Sequence, residues 1–295
     1  MLSSTLLDDG LGNISLVNDD DSHTITLSAY ISRVFIYEDG VSLGNWPQSY
    51  VKSLSVDTAG GNDSVVLPEW HWKYSYQMIG AVINGGDGDD SIQGTHGNDT
   101  INAGAGNDSV WSALGSDTIL GGDGDDYFTN TDGSSDFSGG LGSDTMDCAT
   151  VINPMNVTLD NVKNDSDGRG GTDNFRDDIE TIYTGNLADV VVGSSGDNVF
   201  YTGKGNDIVY AGAGNDVIYD GLGSDKIYGE AGNDLFVANA TEALNNKDSL
   251  YGGDGDDVFF GYGDLYRDVI DGGAGIDTVE GTDALDLLTN VETII

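Results

Sequence analysis

The sequence predicts an all-β chain of short stacked strands, and three observations carry that prediction. First, 44 of the 51 acidic residues are Asp and only 7 are Glu, set beside 45 Gly in 295 residues; Asp and Gly disfavour helix and strand interiors and favour turns. Second, a nine-residue frame runs through much of the chain. Third, one place in that frame is always apolar. The net charge of −41 excludes nucleic acid and anionic membranes as partners. With 14 Tyr, 8 Phe and 4 Trp the chain has the apolar mass to fold once its charge is neutralised. Its single cysteine, Cys148, permits no internal disulfide. Neither a basic start followed by an apolar run nor a stretch of about 18 apolar residues is seen, so neither a signal peptide nor a membrane-spanning helix is expected.

From residue 85 the frames read GGDGDDSIQ, GTHGNDTIN, AGAGNDSVW, SALGSDTIL, GGDGDDYFT, a degraded NTDGSSDFS and GGLGSDTMD. TAGGNDSVV at 58 falls in the same register, so residues 58–147 form a first array. A second begins at Thr184 and, with five and then two extra residues, holds its frame to 280. Residues 1–57 are read as a β-rich N-terminal cap, 148–183 as a connector continuing the solenoid, and 281–295 as a C-terminal cap or a junction to further protein, because GTDNFRDDIETI at 171–182 is echoed there.

The eighth position holds Ile92, Ile101, Val110, Ile119, Phe128, Phe137 and Met146, then Val209, Ile218, Ile227, Phe236, Leu250, Phe259, Ile270 and Val279. One inward apolar residue between outward neighbours is the period-2 mark of a short strand, and stacking it builds a thin core. The fourth-position glycines, such as Gly88, Gly97, Gly106, Gly115 and Gly124, suit turns that need positive φ or a close approach of backbone.

This pattern resembles the RTX (repeats-in-toxin) haemolysin-type calcium-binding repeats, over about two thirds of the chain. The resemblance implies a parallel β-roll, a right-handed β-solenoid built from GGxGxDxUx nonapeptides, two to a coil. It also implies calcium ligation by the sixth-position aspartates: Asp63, Asp90, Asp99, Asp108, Asp117, Asp126 and Asp144, then Asp189, Asp207, Asp216, Asp225, Asp234, Asp248, Asp257, Asp268 and Asp277. The carbonyls of Gly86, Gly88, Gly104, Gly106, Gly122 and Gly124, with those of Gly203, Gly205, Gly212, Gly214, Gly221, Gly223, Gly253 and Gly255, complete the implied ligand set.

Elementary electrostatics points the same way. Carboxylates stacked at the inter-strand spacing of about 4.8 Å repel by roughly 3 kcal/mol at an effective dielectric near 20. A hard cation that accepts six to eight oxygens relieves this, and Ca²⁺ suits such a cage better than Mg²⁺. Zinc is disfavoured, with only His23, His71, His96 and Cys148 as soft ligands. About ten ions are expected; the frames with Ser135, Asn198, Asn246 or Tyr266 in place of Asp or Gly are expected to bind weakly or not at all.

Two aromatic patterns stand apart. Trp70, Trp72, Tyr74 and Tyr76 alternate, and are read as core near the cap rather than as a sugar platform. Tyr201, Tyr210, Tyr219 and Tyr228 share the outward ninth position, continued by Tyr251 and Phe260; cross-strand stacking is the favoured reading, a ligand surface the other.

The resemblance implies a secreted module that folds outside a Gram-negative bacterium after type I export, with calcium ions as partners. Alternatives are a calcium-stiffened spacer or ligand-binding segment of an adhesin or surface layer, or the non-catalytic C-terminal part of a secreted RTX enzyme or toxin. No HExxH or GxSxG motif is present, and the chain is not expected to be an enzyme. A carbohydrate or protein ligand, and membership of a larger polypeptide, stay open as partners.

Overall fold

A computed structural model describes residues 5–8, 13–17, 21–30, 33–47, 53–67, 79–129, 133–166, 168, 170–238, 247–262, 266–281 and 284–295. The aromatic run Trp70 to Tyr76 and Asn246 lie outside these residues. The chain divides into two compact units, Met1–Thr145 and Met146–Ile295.

In the first unit, successive frames alternate between two sheets. One contains Asn13–Val17, Ser53–Asp57, Ala81–Asp87, Thr100–Ala105, Thr118–Asp123 and Asp136–Leu141, and the other Ser64–Val66, Ser91–Gln93, Ser109–Trp111 and Tyr127–Thr129. All of these pair in parallel, and from Ala81 onward the register steps by 18 residues, with Ile101 beside Ile119 and Val110 beside Phe128, whereas Leu54 lies beside Ala81 and Val65 beside Ile92, 27 residues on. Two nonapeptides therefore complete a coil. The N-terminal segment is β-rich as expected, with strands Asn13–Val17, Thr24–Tyr30, Arg33–Glu38 and Ser53–Asp57. Asp39 and Gly40, at φ +49° and +77°, turn Arg33–Glu38 into Val41–Pro47 as an antiparallel hairpin, the conformation that tight hairpins favour.

The second unit repeats the architecture. Asn156–Thr158, Val190–Val192, Ile208–Ala213, Lys226–Ala231, Ser249–Asp254, Val269–Ala274 and Leu287–Thr289 form one sheet, and Thr181–Tyr183, Val199–Tyr201, Val217–Gly221, Leu235–Ala238, Val258–Phe260, Thr278–Glu280 and Thr293–Ile294 lie along the other. The five extra residues of the frame are absorbed without loss of register, since Ile227 lies beside Leu250. The connector contributes Asn156–Thr158 and Thr181–Tyr183 to the two sheets, and the echoed C-terminal segment adds one last strand to each.

Every eighth-position residue named above is buried, at 2% exposure or less. Their outward neighbours are not, as in the exposed–buried–intermediate pattern of Ser91–Gln93. The ninth-position tyrosines stack as expected, while Phe260 lies beside Val237 and is exposed. Tyr183, Tyr201 and Tyr219 follow at 4.3 and 4.5 Å, and Tyr210, Tyr228 and Tyr251 at 4.9 Å each, with Lys226 Nζ 5.1 Å from the Tyr228 ring. Each ring covers its neighbour's face, so the stack is a cross-strand contact.

Candidate metal centre

Each sixth-position aspartate follows a turn and opens a strand, which aims its side chain back under the glycine-rich backbone. All sixteen are buried, at 3% exposure or less. Their carboxylates form ladders along the coils. The Asp90 N–H donates to Asp108 Oδ1 at 2.7 Å, Asp108 N–H to Asp126 Oδ1 at 2.9 Å, and Asp126 N–H to Asp144 Oδ1 at 2.8 Å. Asp99 N–H reaches Asp117 Oδ1 at 2.8 Å, and the ladder then meets Ser135 Oγ at 3.1 Å, where no carboxylate is available. The Asp63 amide donates to Asp90 Oδ1 at 2.8 Å.

In the second unit one ladder runs Asp189, Asp207, Asp225, Asp248, Asp268 and ends on Asp286. The other begins at the Asn198 amide and runs Asp216, Asp234, Asp257, Asp277 to Glu292. Oδ1 is thus consumed by the fold.

Oδ2 is the chemically available atom. On Asp90, Asp108, Asp126, Asp216, Asp234, Asp257 and Asp277 it is buried without a hydrogen-bond partner among the described residues. On Asp90, Asp126, Asp234, Asp257 and Asp277 it faces the glycine that opens its own turn. A Cβ on Gly121 would meet both Asp126 Oδ2 and the Gly139 carbonyl oxygen, and Gly229 and Gly252 show the same pair of neighbours from their own Asp and the next coil. Two acceptors meet with no donor between them, an arrangement that only a cation or a proton can satisfy.

The glycine carbonyls stack in columns beside this place. Those of Gly86, Gly88, Gly104, Gly106, Gly122 and Gly124 each abut the glycine one coil on, as do those of Gly203, Gly205, Gly214, Gly253 and Gly255. Gly212, Gly221 and Gly223 share the same positive φ, at +110°, +76° and +154°. Among the described residues no three acidic, His or Cys side chains converge on one point. The donor set is therefore carboxylate plus main-chain carbonyl, which fits a hard cation such as Ca²⁺ and supplies charge neutralisation where the ladders repel.

Burial pushes the carboxyls of Asp90, Asp99, Asp126, Asp234 and Asp257 up to about 6, against the backbone N–H groups that lower them. Asp108, Asp207 and Asp216 are pushed up to about 7 by the same burial, with neighbouring carboxylates adding to it. Asp189 and Asp277 shift upward for the same reason.

Two features escaped the sequence reading. The fifth position makes an exposed ladder of its own: Asp89 N–H donates to Asn62 Oδ1 at 3.2 Å, Asn107 N–H to Asp89 Oδ1 at 2.9 Å, and Asp125 N–H to Asn107 Oδ1 at 2.9 Å. The recurrence of Asn and Asp there was the available signal. In the connector, buried Asp165 accepts from Thr158 N–H at 2.6 Å and Phe175 N–H at 2.8 Å. No repeat marks it.

Fold and donor set together define a calcium-binding β-roll. The model of the RTX calcium-binding nonapeptide repeat (4 copies) matches residues 82–110, 111–135, 183–218, 212–240, 244–264 and 262–289, more than half of the chain. The chain belongs to this family. Among solved structures it is similar to a hyperactive, Ca²⁺-dependent, β-helical antifreeze protein from an Antarctic bacterium, with 17% identity over 82% of this chain and 75% of that one, at a TM-score of 0.39. No curated protein matches it.

Proposed function

We propose that this chain is a structural module of a secreted RTX protein, which folds outside the cell on taking up about ten calcium ions through the sixth-position aspartates and glycine carbonyls named above. The observation that carries the reading is a buried Oδ2 that lacks a hydrogen-bond partner among the described residues and faces a carbonyl oxygen of the next coil, as on Asp90, Asp126, Asp234 and Asp257. Without a cation these pairs repel, and the cost recurs at every coil. Binding energy then becomes folding energy, and a chain exported unfolded from a calcium-poor cell folds where calcium is abundant. The host on this reading is a Gram-negative bacterium, and the role is structural rather than catalytic.

Circular dichroism during calcium titration, beside magnesium at equal concentration, tests the reading. A cooperative gain of β-structure with Ca²⁺ and little with Mg²⁺ is expected; no gain at millimolar Ca²⁺ would overturn it.

A second reading, a calcium-stiffened spacer, is favoured by the stacked tyrosines on both sheets of the second unit. It predicts a stretching stiffness, read by single-molecule pulling, that depends on calcium.

A further inference from the structure

The glycine-rich turns adopt two conformations, and the presence of a sixth-position Asp does not separate them. In the turn before Asp90, the second and fourth residues are left-handed, with φ +104° at Gly86 and +129° at Gly88; before Asp126, Gly122 and Gly124 stand at +127° and +130°. This geometry persists even where the second residue carries a side chain, as at Glu230 (+74°) and Ala113 (+63°), at a cost of roughly 1 kcal/mol each.

Three turns differ. In 94–99, 184–189 and 193–198 neither the second nor the fourth residue is left-handed. There the second residue's amide turns inward onto the sixth side chain. Thr95 N–H donates to Asp99 Oδ2 at 2.6 Å, Gly185 N–H to Asp189 Oδ2 at 3.2 Å, and Ser194 N–H to Asn198 Oδ1 at 2.8 Å. Side-chain donors complete the closure. The Thr95 hydroxyl donates to Asp99 Oδ1 at 2.7 Å, and the Asn198 Nδ2 group donates to the carbonyls of Ile179 and Glu180 at 3.4 and 3.5 Å.

We propose that these three turns are closed without calcium, so that the metal load is confined to the left-handed turns. The inference rests on the calcium-binding reading and refines it. A cation needs open oxygen lone pairs, whereas an inward N–H takes up lone-pair capacity on the sixth side chain and places a positive hydrogen where the cation would sit. Asp99 and Asp189 then serve as internal acceptors and not as ligands. Because 184–189 and 193–198 are consecutive, the first coil of the second array needs no metal and gives the later coils a surface on which to stack.

The test is the number of Ca²⁺ ions bound per full chain, read by native mass spectrometry. Thr95→Gly restores GGxGxD at 94–99, and Ser194→Gly with Asn198→Asp restores it at 193–198. Each is expected to raise the count by at least one, and Thr95→Ser to leave it unchanged. An unchanged count in both restored variants, with the unaltered chain still binding calcium, overturns this inference alone; an unaltered chain that binds none overturns the functional reading. Should a variant fail to fold, anomalous diffraction from the unaltered chain crystallised with Tb³⁺ decides: a peak beside Asp126 and none beside Asp99, Asp189 or Asn198 is expected, and a peak beside any of those three overturns the proposal.

Discussion

The Asp108 amide donates to Asp126 Oδ1 at 2.9 Å, which leaves Asp126 Oδ2 buried and facing the first glycine of its turn. One carboxylate thus does two jobs, a hydrogen bond within the fold and an open lone pair for a cation. Asp126→Asn keeps the first through its amide oxygen and removes the charge needed for the second. The variant is expected to bind about one calcium fewer and, at calcium a hundredfold above Kd, to lose about 3 kcal/mol of calcium-dependent stability. Titration calorimetry with thermal melts in calcium and in chelator would show this; an equal loss in chelator would place the effect on packing instead.

The pH dependence has opposite signs in the two states. Carboxyls pushed up to about 6 at Asp126 and about 7 at Asp108 lie above the ordinary Asp value. In the calcium-free protein they contribute stability that is present below pH of about 4 and is lost as pH rises through 6 to 7. Calcium needs the ionised form, so its apparent affinity is expected to fall as pH drops from 7 to 5, with protons released on binding at pH 6. Calorimetry in buffers of different ionisation enthalpy measures that release.

The stacked rings of Tyr210, Tyr228 and Tyr251 make a separate prediction. Replacing Tyr210 and Tyr228 together with Ser should cost about 2 kcal/mol by loss of the ring contacts while the calcium count stays the same. Urea unfolding in saturating calcium reads the first, native mass spectrometry the second. Stability held at the original value would favour a ligand surface over a structural stack.

In the connector, Asp165 accepts two backbone amides from distant residues, Thr158 and Phe175. Asp165→Asn must leave one of those buried N–H groups facing an amide NH₂, at a cost of about 1 to 3 kcal/mol. The expected signature is faster hydrogen exchange at Thr158 or Phe175 with no change in bound calcium.

Glu230 holds a left-handed φ of +74°. Glu230→Gly removes the Cβ conflict and is expected to raise stability by about 1 kcal/mol, partly offset by the greater freedom of the unfolded chain. A lower melting temperature would show that the carboxylate contributes more than the strain costs.

The sequence by itself determined the period, and with it most of the architecture. Nine residues with an apolar eighth position require a short strand per frame, and stacking at two frames per coil buries Ile101 on Ile119 and Val110 on Phe128. The buried Asp ladder was legible for the same reason: a charged residue confined to one place in a frame must meet its copies. Tertiary structure decided which oxygen stays open, how Asp165 ties the connector, and which turns close on themselves. Asp99 and Asp126 occupy the same place in the frame, yet one has both oxygens filled by its own turn and the other keeps Oδ2 bare. The difference lies in the direction of a peptide plane, set by φ at the second and fourth residues. A hydrophobic period carries no record of φ, because the same strand spacing follows from either turn.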